Sequence, residues 1–86
     1  MYLVAWSDQA FEQMSRIIRE NPARRDELIS ALQEIATRLR LDANTTGESR
    51  GRYFRVVLVD PLTVFYRLDE ESDAVEVIRV RARFRA

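Results

Sequence analysis

The segment IRVRARFR, residues 78–85, sets Arg79, Arg81, Arg83 and Arg85 at every second position. In an extended chain alternate side chains share a face, so these guanidinium groups line one side and Ile78, Val80, Ala82 and Phe84 the other. Such a row can grip phosphate or carboxylate through bidentate hydrogen bonds, but a group with a pKa above about 12 is a poor proton acceptor. All fourteen basic residues are Arg, with no Lys or His, so proton transfer near neutral pH must come from Tyr, Asp or Glu. Chemistry at a bound phosphate would need a base, charge stabilisation of the transition state, and an acid for the leaving oxygen. Arginine supplies the middle role alone. Tyr53 is expected on the same face as Arg55 and is the one nearby candidate for proton transfer. Its competing role is an aromatic lid over the end of the sheet.

Other charged groups fit structure as well as chemistry. Glu48, Arg50 and Arg52 in GESRGR suit either a surface ion-pair cluster or a substrate contact. Asp69, Glu70, Glu71 and Asp73 lack the glycine and the terminal bidentate glutamate of a calcium loop, and read as a solvated turn. Arg16, Arg19, Arg24 and Arg25 are offset by Glu20, Asp26 and Glu27. With no Cys, no Gly-rich phosphate loop and no Ser/His/Asp set, no cofactor and no metal are expected.

These groups must be positioned by few elements. Eighty-six residues with net charge zero, 47% hydrophobic and 33% charged, imply one small domain over residues 1–86 with a single core. The apolar start, Met1 to Trp6, is too short for a signal peptide, which leads us to expect a cytoplasmic protein with no membrane association. Tyr2 to Trp6 reads as a first strand. Ser7 is a helix N-cap, followed by apolar residues at Ala10, Phe11, Met14, Ile17 and Ile18. Asn21-Pro22 opens a second helix with Leu28, Leu32, Ile35 and Leu39 on its stripe, running to about Leu41. The polar cluster DANTTGES then breaks the helical period. Three strands follow, Arg52 to Val59, Leu62 to Leu68 and Ala74 to Phe84, joined at Asp60-Pro61 and by the acidic loop 69–73. The order β-α-α-β-β-β predicts an α+β domain, a helical hairpin packed on one face of a mainly antiparallel sheet.

Pairing Val59 with Thr63 and Arg67 with Val75 sorts the meander into faces. Phe54, Val56, Leu58, Leu62, Val64, Tyr66, Leu68, Ala74, Ile78 and Val80 then meet the helices, with Glu76 opposite Tyr66 and able to bond its hydroxyl. The other face carries Arg55 with Arg67 and Val75, then an apolar row of Val57, Phe65 and Val77, then Val59, Thr63 and Arg79, with Arg81 and Arg83 beyond. Two helices cover one side of a sheet only. Arg55 beside Arg67 is a like-charge pair that calls for an anion or acidic partner, and the apolar row is a patch in want of cover.

The element order, together with the run GESRGRYFRVVLVDPLTVFYRLDEESDAVEVIRVR from Gly47 to Arg81, resembles the RelE/ParE superfamily of toxins from type II toxin–antitoxin modules. The resemblance spans nearly the whole chain. It implies a small cytoplasmic toxin of a growth-arrest or plasmid-stabilisation module, silenced by a cognate antitoxin whose flexible segment folds across it. Some members are mRNA interferases acting at the ribosome without a metal, and others poison DNA gyrase. Arg55 and Arg83 align with basic catalytic residues of the ribonuclease members. Val57 and Thr63 stand where those members carry further basic residues, and no counterpart of their C-terminal Tyr or His follows the last strand.

Three readings remain open. The first is an endoribonuclease using Arg55, Arg83 and Tyr53, with Arg50, Arg52, Arg67, Arg79 and Arg81 holding phosphates. The second is a toxin that blocks gyrase, and the third a partner-binding module that has lost toxicity. In each, the antitoxin sets acidic side chains on Arg79, Arg81 and Arg83 and apolar ones on Val57, Phe65 and Val77; in the free protein a homodimer could cover the same patch.

Overall fold

The computed structural model describes residues 1–51 and 53–84. Expectations placed on Arg52 and Arg85 lie outside the described residues. Strand β1 (Leu3–Trp6) leads into helix α1 (Asp8–Glu20), and a 3-10 turn (Pro22–Arg24) leads into α2 (Arg25–Asp42). Strands β2 (Glu48–Ser49), β3 (Phe54–Val59), β4 (Leu62–Asp69) and β5 (Ala74–Ala82) complete one sheet in the order β1-β5-β4-β3-β2. β1 runs parallel to β5; every other pair is antiparallel.

The local signals hold. The Ser7 side chain accepts from the Ala10 N–H at 3.1 Å, satisfying one of the unpaired donors of the first turn. Ala10 and Met14 are buried. Phe11, expected on the buried stripe, is 67% exposed, since a step of about 100° from Ala10 carries it off that narrow face. Pro22 opens a single 3-10 turn instead of the second helix itself, which begins at Arg25. Leu28, Ala31, Ile35 and Leu39, spaced by three and four, form the buried stripe of α2. α1 lies over β5, and α2 over β1, β3 and β4.

The meander differs from expectation in both registers. Val59 pairs with Leu62, so Asp60 and Pro61 alone make the turn, and Leu58 faces Thr63. This one-residue slip inverts β3, because side chains alternate with a period of two. Val57 and Val59 therefore join Leu62, Val64, Tyr66 and Leu68 on the helix side, while Phe54 and Leu58 turn outward. Val57 and Val59 thus take the core side of β3, and Leu58, 64% exposed, is given to the outer face.

Between β4 and β5, Arg67 pairs with Glu76 and Leu68 with Val75, whereas Phe65 pairs with Arg79 and Val64 with Val80. A bulge at Ile78 separates the two stretches. Val75 and Val77 before it and Val80 after it are all in the core, against the expectation that Val75 and Val77 face outward. Glu76, Arg79 and Arg81 are all kept out of that core. Within the bulged ladder neither charge nor hydrophobe is misplaced.

β2 lies inside the segment read as a polar turn. Two polar residues carry no alternation to detect, and the strand depends on Gly47, whose φ of +78° suits glycine and where a Cβ would collide with the Val56 carbonyl.

Candidate functional site

Arg55 stands on the helix side of the sheet, opposite Tyr66 and not Arg67. Its Nη2 donates to the Gly47 carbonyl at 2.9 Å, and its Nε is buried without a partner. The fully buried Tyr66 places its hydroxyl 2.8 Å from the Ala43 carbonyl and 2.6 Å from that of Thr46. Burial pushes the Tyr66 pKa up, and the neighbouring Arg55 guanidinium offsets part of that rise. Together the two side chains hold the segment between α2 and β2. Glu76, expected to bond the Tyr66 hydroxyl, instead pairs with Arg67 at 3.1 Å, and the like-charge Arg55–Arg67 pair does not form.

Tyr53 precedes β3 and extends its ladder: its carbonyl accepts from the Leu68 N–H at 2.8 Å. Its side chain is exposed and lines, with Arg55, Arg67, Glu70, Glu76 and Leu3, an open groove of about 980 Å³. Arg50 pairs with Glu48 at 3.1 Å, one of the two roles foreseen for GESRGR.

The arginines of β5 occupy the face away from the helices. Arg79 sits over the Phe65 ring at 5.4 Å, and Arg81 stands opposite Thr63. Arg83 is exposed, and its N–H donates to the Pro61 carbonyl at 2.8 Å, carrying the pairing past the end of β5. Beside them lie exposed Leu58 and half-buried Phe65, while exposed Leu3 and Phe54 stand toward the other end of the sheet, opposite Ala74 and Arg67. Val57 and Val77, expected as partner contacts here, belong to the core; Val56 and Leu58 are the β3 residues of this face. The turn length at Asp60-Pro61 is the signal that locates them, since a two-residue turn forces the observed pairing.

Chemically, this face can bind anions and apolar groups. Among the described residues no group of three or more Asp, Glu, His or Cys could hold a metal ion, and no helix is long and apolar enough to cross a membrane.

The comparisons with known proteins agree on the fold. The chromosomal ParDE system of Pseudomonas aeruginosa superposes with a TM-score of 0.76 at 16% identity, over 98% of both chains. The RelBE2 toxin–antitoxin complex of Mycobacterium tuberculosis gives 0.76 at 18% identity, over 95% of this chain and 91% of that one. The isolated Escherichia coli RelE toxin gives 0.69 at 16% identity, over 100% and 88%. No curated protein matches the sequence significantly. The family described as "ParE toxin of type II toxin-antitoxin system, parDE" matches residues 4–86. The two-helix, five-stranded protein described above therefore belongs to the ParE toxin family of type II toxin–antitoxin systems.

Proposed function

We propose that this chain is the toxin of a cytoplasmic toxin–antitoxin pair, that it arrests growth by binding and blocking DNA gyrase without cutting RNA, and that a cognate antitoxin neutralises it. One observation carries the reading: Arg55 is withdrawn to the helix side, away from Arg79, Arg81 and Arg83. Two arginines on opposite faces of a sheet cannot flank one phosphate, and the guanidinium groups of the outer face stabilise charge without moving protons. Exposed arginines among apolar side chains suit a protein partner.

Induced expression tests this, with primer extension on total RNA and a supercoiling assay of purified gyrase. Growth arrest, no new RNA ends and inhibited supercoiling are expected, all relieved in an Arg79→Ala, Arg81→Ala, Arg83→Ala variant of unchanged thermal stability. New RNA ends that vanish in the variant would replace the reading with the ribonuclease one. Absence of arrest would leave a partner-binding module.

A further inference from the structure

The row of outward arginines runs past the strand that carries it. β5 ends at Ala82, and Arg83 stands beyond it, the last arginine of the row among the described residues. Its backbone is tied to the sheet by the N–H bonded to the Pro61 carbonyl at 2.8 Å. Arg83 shares the outer face with Arg79 and Arg81 only while the chain stays extended, because alternate side chains lose their common side once the backbone turns. A further contact must keep residues 83 and 84 in the strand direction.

Phe84 is placed to supply it. By the two-residue period it follows Ala82 onto the helix side, and its half-buried ring packs against the core. The Arg24 guanidinium covers that ring, with Cζ 4.6 Å from the ring centroid. That lies inside the ~6 Å over which a cation is attracted to an aromatic face. Arg24 comes from the 3-10 turn between the helices, and local bonds fix that turn. The Arg24 N–H donates to the Asn21 carbonyl at 3.0 Å, and the Asn21 side-chain amide donates to the Ile17 carbonyl at 2.8 Å. Glu27 lies 3.5 Å from Arg24 Nη1 and steadies the guanidinium. An exposed cation over a ring adds little to global stability, but it weighs heavily on a two-residue segment that has few other bonds.

We infer that Arg24 and Phe84 form a clasp that holds Arg83 in line with Arg79 and Arg81. Arg24, which lies on the helix side of the sheet, is thereby a positioning residue for the outer face. The inference rests on the reading that this face meets the target. With Phe84 held inward, Arg83 is forced outward. With Phe84 released, Arg83 leaves the row, and apparent affinity falls with the fraction of molecules in which the row is complete.

Hydrogen exchange at the Arg83 amide and inhibition of gyrase supercoiling, measured on the same purified proteins, test the clasp. Arg24→Ala should melt within a few degrees of wild type, since the side chain is exposed. Its Arg83 amide should exchange about two- to fivefold faster, the factor corresponding to one exposed cation–π contact. Arg24→Lys keeps a cation over the ring and should restore the slow rate. Phe84→Leu keeps an apolar side chain without the ring and should match Arg24→Ala, and the two combined should be no faster than either alone, because they remove one contact. Phe84→Ala releases the segment and should raise the concentration for half-inhibition about fivefold or more, as Arg83→Ala does by removing an interface arginine. Added to Arg83→Ala, it should cost nothing further. Unchanged exchange in Arg24→Ala, additive effects of Arg24→Ala and Phe84→Leu, or a further loss when Phe84→Ala joins Arg83→Ala would overturn the inference. If the wild-type chain leaves supercoiling untouched, the gyrase reading falls by itself and exchange at Arg83 still decides the clasp.

Discussion

Tyr66 ties the sheet to the chain leaving α2 through one hydroxyl between two backbone carbonyls, one of them on the fully buried Ala43. Removing a donor from a buried acceptor costs more than the net worth of the bond, so Tyr66→Phe should destabilise the protein by about 1–3 kcal/mol in urea titration. The same residue makes stability depend on alkaline pH. Its pKa is raised in the folded state, so its neutral form is favoured by folding. That contribution is complete below the unfolded value near ~10 and is lost as pH rises through the folded value. Denaturation measured from pH 9 to 11.5 should show a flatter decline in Tyr66→Phe than in wild type; parallel curves would refute the assignment. Tyr2 shifts in the same direction, so some decline persists in the variant. Arg55 serves the same segment through Gly47, and Arg55→Ala should cost about 1.5 kcal/mol while leaving growth arrest intact at permissive temperature. Loss of arrest in a stably folded Arg55→Ala protein would restore that residue to the functional site.

At the scale of elements, the helices and β4 were legible because their signals are local. Ser7, the apolar spacing of α1 and α2, and the alternation of Leu62 to Leu68 each describe one segment without reference to another. The faces of β3 and β5 were not, because they depend on how many residues the Asp60-Pro61 turn consumes and on an extra residue at Ile78. Misreading β3 moved Arg55 and Val57 to the wrong side, and misreading β5 did the same to Val75 and Val77, so errors in the site followed from errors in register. A trace of the bulge was present: Glu76 falls on even positions and Arg79 and Arg81 on odd ones, which no unbroken alternation can keep on one face. Deleting Ile78 should therefore be tolerated, with a cooperative transition and a loss below about 2 kcal/mol, since Val77 and Val80 still face inward along a regular ladder. Inserting one Ala between Arg79 and Val80 turns Val80 outward and should abolish the transition. β2 answers to Gly47 in the same way. Gly47→Ala should cost about 2 kcal/mol or more, with accelerated hydrogen exchange at the Val56 amide, because both the positive φ and the approach to Val56 exclude a side chain.

Over the whole molecule, zero net charge hides a separation along one strand. β5 starts at the carboxylates of Asp69, Glu70, Glu71 and Asp73 and runs out to Arg79, Arg81 and Arg83, so the charge that bulk composition cancels is available locally. Two helices spend their apolar faces on one side of the sheet and leave Phe54, Leu58 and Phe65 on the other, the last two next to the arginine end. Leu58 is the most telling of these. It shares a row with Thr63 and Arg81 and is 64% exposed, an arrangement folding alone does not require. Surface substitutions at such positions change stability by about 0.5 kcal/mol or less, whereas apolar contacts inside a partner interface carry several times that. Leu58→Glu should accordingly melt within a few degrees of wild type by circular dichroism, yet lose growth arrest and gyrase inhibition, because a carboxylate there meets the partner and competes for Arg81. Leu58→Met, which keeps the apolar contact, should behave as wild type in both assays. If Leu58→Glu melts normally and still arrests growth, the outer face is not where the target binds, and the groove beside Tyr53 becomes the surface to probe next.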